Sequence, residues 1–140
     1  MSLISDVLRD NRTFALVGVS QNREKYGYEV LGALIAKGYR VYPINPKYEQ
    51  VDEHRCYASL DDLPETPDVV VTAVPPAVTE KAVQSCARLG VDTVWMPPGS
   101  WSEQAVQTCE EQGIEEIHDI CLVFALRSVR DLPPEAQEEV

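Results

Sequence analysis

Short unbroken apolar runs alternate along this chain with segments whose apolar positions recur every third or fourth residue, and the two periods predict strands and helices in turn. The first run, Thr13-Phe14-Ala15-Leu16-Val17-Gly18-Val19, has the continuous hydrophobicity of a strand covered on both faces. Ahead of it, residues 2–10 carry apolar positions at helical spacing and predict a lead-in helix. Behind it, Val30, Leu31, Leu34 and Ile35 mark one face of a helix that Lys37-Gly38 should end, a cation in the last turn followed by a glycine stop. Residues 39–44 form the second predicted strand, closed by Asn45-Pro46, and a looser stretch follows with a turn at Ser59–Leu63. Residues 68–74 form the third strand, stopped by Pro75-Pro76, and Val78, Ala82, Val83, Cys86 and Leu89 mark the helix that runs from there to Gly90. The fourth strand is Thr93–Met96. Ser100-Trp101-Ser102-Glu103 then has the S-x-x-E spacing of a capping box and should open a helix to about Gly113. Glu116–His118 predicts a short fifth strand, and from Leu132 the acidic, proline-bearing tail is expected to fray.

Strand and helix in strict alternation define an α/β class: a Rossmann-like, doubly wound, five-stranded parallel sheet with helices on both faces. Right-handed crossovers leave few topologies, and strand order 3-2-1-4-5 is the expectation. The 140 residues fit one domain, residues 1–140, with 132–140 as its tail. A domain of this size needs neither disulfide nor metal to hold together. The four cysteines are scattered, and no metal ligand set accompanies His54 and Cys56. No apolar run approaches a membrane span, and the first residues lack the basic and apolar regions of a secretory signal, so a cytoplasmic location is expected.

Charge narrows the partners. The net charge is −11, and residues 101–140 carry ten acids against two arginines, which argues against a nucleic-acid surface or an anionic membrane patch. Arg23, Lys25, Lys47 and Arg55 stand out against this background in two early loops, where they read either as solvated surface charges or as a local cluster selecting one small anion.

In an open parallel sheet a ligand binds outside the carboxyl ends of the strands. The loops at that edge are Gly18-Val19-Ser20 through Arg23, Lys25, Tyr26 and Gly27, then Asn45-Pro46-Lys47, Val74-Pro75-Pro76 and Pro97-Pro98-Gly99-Ser100. The first loop has the parts of a phosphate site: Gly18 and Gly27 for close backbone approach, the Ser20 hydroxyl, and a helix N-terminus. It has neither G-x-G-x-x-G nor a P-loop, and its glycines read equally as strand-to-helix punctuation. Where NAD sites usually carry an acid after the second strand, this chain has Lys47, which favours a phosphate on the adenosine ribose, as in coenzyme A or NADP.

At these loops the chain resembles the small stand-alone CoA-binding proteins, relatives of the nucleotide-binding domain of the succinyl-CoA synthetase alpha subunit. The resemblance spans roughly residues 5–130 and rests on the ordered set Val17–Ser20, Lys25–Gly27, Tyr42–Lys47, Asp68–Val71, Val74–Pro76 and Val94–Met96. It implies that Gly18, Val19 and Ser20 line a pyrophosphate turn, that Lys25 and Tyr26 close over it, and that Lys47 reaches the ribose phosphate. It further implies that Val74, Pro75 and Pro76 flank the adenine and that Met96 lies near the pantetheine arm. The chain departs from the pattern at Pro97-Pro98-Gly99-Ser100, where relatives often have glutamine-x-glycine. It departs again at Asp119-Ile120-Cys121, where they often have Asp-Arg-Cys.

No residue is assigned a catalytic or metal-binding role. His118, Asp119 and Cys121 are too close in sequence to suggest a triad, although a mixed disulfide between Cys121 and the thiol of coenzyme A stays open. Three readings stand at this point: a coenzyme A or acyl-CoA binder acting as carrier, sensor or regulator; an NAD(P)-binding redox protein; and an interaction module without cofactor. Trp101, read as exposed, and the Leu122–Leu126 run leave room for a homodimer or another protein partner.

Overall fold

A computed structural model of the chain describes residues 3–9 and 12–130. The elements are α1 (Leu3–Val7), β1 (Thr13–Val17), α2 (Tyr26–Ala36), β2 (Arg40–Ile44), β3 (Gln50–Val51) and β4 (His54–Arg55). A 3-10 turn (Leu60–Asp62) leads to β5 (Val69–Thr72), α3 (Pro76–Leu89), β6 (Thr93–Met96), α4 (Glu103–Gln112), β7 (Glu115–His118) and α5 (Leu122–Arg130). No helix among the described residues is long and apolar enough to cross a membrane. The acidic tail from Leu132 lies outside the described residues.

The period-2 alternation of side chains splits the core into two layers. Phe14, Leu16, Val69, Val71, Trp95 and Ile117 point to the face covered by α1, α2 and α5. Ala15, Val70, Val94 and Met96 point to the face covered by α3 and α4. Helices on both faces of a five-stranded parallel sheet match the expected class.

The strand order does not follow expectation. It is β2-β1-β5-β6-β7, so the third long strand lies between the first and the fourth instead of at the edge. The physical reason is in the two strands concerned. Every residue of β5 is buried, as suits a central strand, whereas β2 exposes Arg40 and contains Pro43, which has no N–H for a second ladder. The Pro43 carbonyl instead accepts from Tyr57 N–H (2.8 Å), and Tyr57 bridges Ile44 along that edge.

Two local expectations also change. The stretch after β2 contains an antiparallel β3–β4 hairpin, closed by Asp52 at φ 52°. The cap of α4 is Ser102, whose Oγ accepts from Ala105 N–H (3.0 Å), and not Ser100. Ser100 belongs to the preceding turn, where its N–H and its Oγ both donate to Pro97 O (3.0 Å each), and it is buried beside Thr72.

Candidate nucleotide-binding site

From β1 the chain crosses to β2 on one side, and from β5 it crosses to β6 on the other. The crevice of a doubly wound sheet therefore opens between the carboxyl ends of β1 and β5. Gly18 sits there at φ 95°, and its N–H donates to Ile44 O (3.0 Å). A Cβ added to Gly18 would lie 2.5 Å from Val74 Cγ1 and closer still to the Ala73 carbonyl oxygen. One added to Gly27, in the first turn of α2, would run into the Gly18 carbonyl oxygen. In both cases protein occupies the space a side chain would fill. These glycines let the turn close against its neighbours, and Gly18 also lines the cleft beside it.

Beside Gly18 a cleft of about 460 Å³ opens among the ends of β1 and β2, residues 58–61 and α3. Leu60, Val74, Val78 and Ala82 give it apolar walls, and Val78 is 43% exposed there. Asn45, Pro46 and Lys47 line it from the end of β2. The Asn45 side chain fixes that loop: Nδ2 donates to Val19 O (2.9 Å), and Oδ1 accepts from Lys47 N–H (2.9 Å). Lys47 is exposed, and its ammonium has no ion-pair partner among the described residues.

The loop from Ser20 to Lys25 lies between β1 and the start of α2. Ser20 Oγ accepts from Asn22 N–H (3.0 Å), and Asn22 Oδ1 accepts from Glu24 N–H (2.9 Å). The hairpin pins this segment from outside, because Gln21 Nε2 donates to Gln50 O (2.9 Å) and Tyr28 OH donates to Asp52 (2.8 Å). That bond to Asp52 raises the Tyr28 hydroxyl above its usual range, and the Arg23 guanidinium lies over the Tyr28 ring at 6.0 Å. Lys25 takes the cap position of α2 without a side-chain bond. The N–H groups of Tyr26 and Gly27, first in that helix, have no intrahelical acceptor. Pro75 and Pro76 carry no N–H, so the start of α3 offers an anion fewer donors.

Three expected site residues present less to the site than the sequence suggests. The Val19 side chain is fully buried, so only its backbone reaches the turn. Met96 is fully buried in the layer under α3 and α4 and is not among the residues that line the cleft. Tyr26 does not close over the loop. Its hydroxyl accepts from Leu122 N–H (3.0 Å) and lies 3.5 Å from Cys121 Sγ, at the start of α5, and burial raises it well above the usual tyrosine range. Trp101 is partly buried, its ring 4.7 Å from that of His118, whose Nδ1 lies 2.7 Å from the Glu116 carboxylate. The exposed aromatic residue is Phe124, at 64%.

Several cleft residues escaped the sequence reading. Val78, Lys81, Ala82 and Ser85 follow at i, i+3, i+4 and i+7 along α3, so one helical face supplies a whole wall. The apolar spacing of Val78 and Ala82 predicts the helix but does not mark the polar Lys81 and Ser85 beside them. Asp61 also lines the cleft, and Arg88 holds it through bonds of 2.6 and 3.3 Å that keep its carboxyl below the usual range.

A Rossmann-like sheet with an apolar, lysine-bearing cleft at its switch point defines a ligand-binding domain of the nucleotide-cofactor type. Residues 12–127 match the family model described as a CoA binding domain, and the chain belongs to that family. It is similar to the ADP-forming acetate–CoA ligase of Methanocaldococcus jannaschii, with 34% identity over 80 residues, 57% of this chain and 11% of that protein. The match thus spans about a tenth of the length of that relative. Among solved structures it is similar to a hypothetical protein from Pyrococcus horikoshii, with TM-score 0.86 and 31% identity, covering 89% of this chain and 88% of that one. A conserved hypothetical protein from Pyrococcus furiosus gives TM-score 0.77 and 36% identity, covering 81% and 97%. The family supports coenzyme A as the ligand and lends no support to NAD or NADP.

Proposed function

We propose that the chain binds coenzyme A or an acyl-CoA, with the adenosine end in the cleft and the pyrophosphate on the turn of Gly18, Val19 and Ser20. The residues present fit the group. A cleft of about 460 Å³ falls within the range of small-molecule sites, about 300–1,000 Å³. Val74, Val78 and Leu60 offer apolar surface to adenine. The N-terminal end of α2 and the exposed Lys25 ammonium supply donors and positive charge to the pyrophosphate. The observation that carries the reading is Lys47, an unpaired ammonium on the cleft wall whose backbone Asn45 sets in place. A cation here, after the second strand, suits a ribose phosphate and disfavours the bare ribose of NAD.

Within this reading the chain acts as a carrier, sensor or regulatory protein without turnover of its own. The polar groups of the cleft support it: Asn45, Lys47, Ser59 and Ser85 are binding groups, and the Asp61 carboxylate is engaged by Arg88. A second reading follows from the relatives, whose ligases are many times longer: the chain supplies coenzyme A to a partner that carries the reacting groups. Calorimetry with coenzyme A, 3′-dephospho-coenzyme A and NAD tests the binding. Micromolar affinity for coenzyme A that weakens without the 3′-phosphate, and weakens in Lys47→Ala, is expected; tighter binding of NAD, indifferent to Lys47, would overturn it. A coupled assay for ADP release with acetate, ATP and coenzyme A should show no turnover by the chain alone, and steady turnover would remove the carrier role.

A further inference from the structure

We propose that Lys81 of α3 is a second cation for the ribose phosphate, so that Lys47 and Lys81 clamp a phosphate monoester from different walls of the cleft. The inference rests on the coenzyme A reading and extends it to a residue outside the loops that carry the family resemblance. Lys81 lies one helical turn beyond Val78 and lines the same cleft as Lys47. Both lysines are exposed, and neither has an ion-pair partner among the described residues. Two ammonium groups facing one small space repel each other when it is empty, and a dianion between them reverses the sign of that interaction.

The remaining charge in the cleft is arranged to leave both lysines available. Asp61 is the acidic residue among those lining the cleft. Arg88, two turns along α3 from Lys81, engages both oxygens of the Asp61 carboxylate, at 2.6 and 3.3 Å. A bidentate guanidinium is the stronger partner for a carboxylate, so an ammonium nearby competes poorly. Arg88 is in this sense a positioning residue: it engages the carboxylate that lines the cleft. On a chain of net charge −11, a cleft kept locally positive discriminates in favour of nucleotides that carry the extra phosphate.

The test is calorimetric titration of adenosine 3′,5′-bisphosphate, coenzyme A and 3′-dephospho-coenzyme A into the intact chain and its variants. In Lys81→Ala the affinity for the two 3′-phosphorylated ligands should fall about tenfold, the effect of one charge-assisted bond, and that for the dephospho ligand by less than about twofold. Lys81→Arg should keep the preference. Arg88→Ala should weaken coenzyme A about fivefold, with Asp61→Asn in the same chain restoring it, as the release of a local charge demands. If the unaltered chain prefers coenzyme A to its dephospho form while Lys81→Ala binds both as before, the clamp is wrong and the coenzyme A reading stands. If the unaltered chain binds none of the three, both fail.

Discussion

The side-chain amide of Asn45 joins the ends of β2 and β1, donating from Nδ2 to the Val19 carbonyl at 2.9 Å while its Oδ1 receives the Lys47 N–H. One amide therefore fixes both the turn after β1 and the backbone that carries Lys47. Asn45→Ala should cost about 1–2 kcal/mol in urea denaturation and weaken coenzyme A in the same step. Asn45→Asp should be worse than Ala, because a carboxylate would face the Val19 carbonyl oxygen where a donor now stands. An Asp variant as stable and as tight-binding as the unaltered chain would show that the two loops hold their places without this bond.

The crowding of Gly18 and Gly27 makes a second prediction with an internal control. Gly18→Ala meets Ala73 and Val74 and holds alanine at φ 95°, so it should lose several kcal/mol, at least the 1–3 of a strained backbone. Gly27→Ala meets the backbone of Gly18 and should also destabilise strongly. Gly32, exposed in the interior of α2 with open space around its α-carbon, should gain about 0.5–1 kcal/mol on conversion to alanine. Thermal melts of the three variants decide it; equal shifts would mean that helix propensity, not crowding, governs these positions.

How much of this was legible depended on which physical signal each residue carried. The strands were visible because a parallel strand covered on both faces reads as an apolar run, and β6 falls on Thr93–Met96 as its run predicts. The order of strands was not, since periodicity says which residues pair and not with whom. Pro43 was the overlooked hint that β2 is an edge. Asn45, Lys47 and Val74 were found because they follow strand ends, where a crevice must lie. Lys81 and Ser85 were missed because polar residues beside an apolar helical stripe have the pattern of an ordinary solvated helix face. Tyr26 was misplaced because its partners, Cys121 and Leu122, lie at the far end of the chain and no local pattern connects them.

The cysteines should differ sharply in reactivity. Burial raises the Cys86 thiol to about 12 and the Cys109 thiol to about 11, and it raises Cys56 as well. Cys121 is half-buried at the start of α5. Because the thiolate is the nucleophile, a thiol reagent at neutral pH should label one cysteine quickly in the native chain and all four after unfolding. Cys121→Ser should remove the fast phase; its persistence would place the accessible thiol elsewhere.

Tyr26 offers a test in pH. Its hydroxyl is kept neutral well above the ordinary value of 10.0, first by burial and then by its contact with Cys121. In the unfolded chain the same hydroxyl ionises near that ordinary value. Above it the unfolded chain binds fewer protons than the native one, so stability falls as pH rises; below it this group adds no slope. Tyr26→Phe leaves the Leu122 N–H without its acceptor and should cost about 1–2 kcal/mol at pH 7. The phenylalanine has no proton to lose, so the gap between the two proteins should stay constant up to about pH 10 and narrow above it. Tyr28 and Tyr42, also raised by bonds to Asp52 and Glu65, are common to both proteins and cancel in the difference. Urea denaturation of the pair from neutral pH to pH 11 reads the gap directly. A gap that does not narrow would mean that Tyr26 ionises as freely folded as unfolded, and that its tie to α5 is looser than the bond to Leu122 implies.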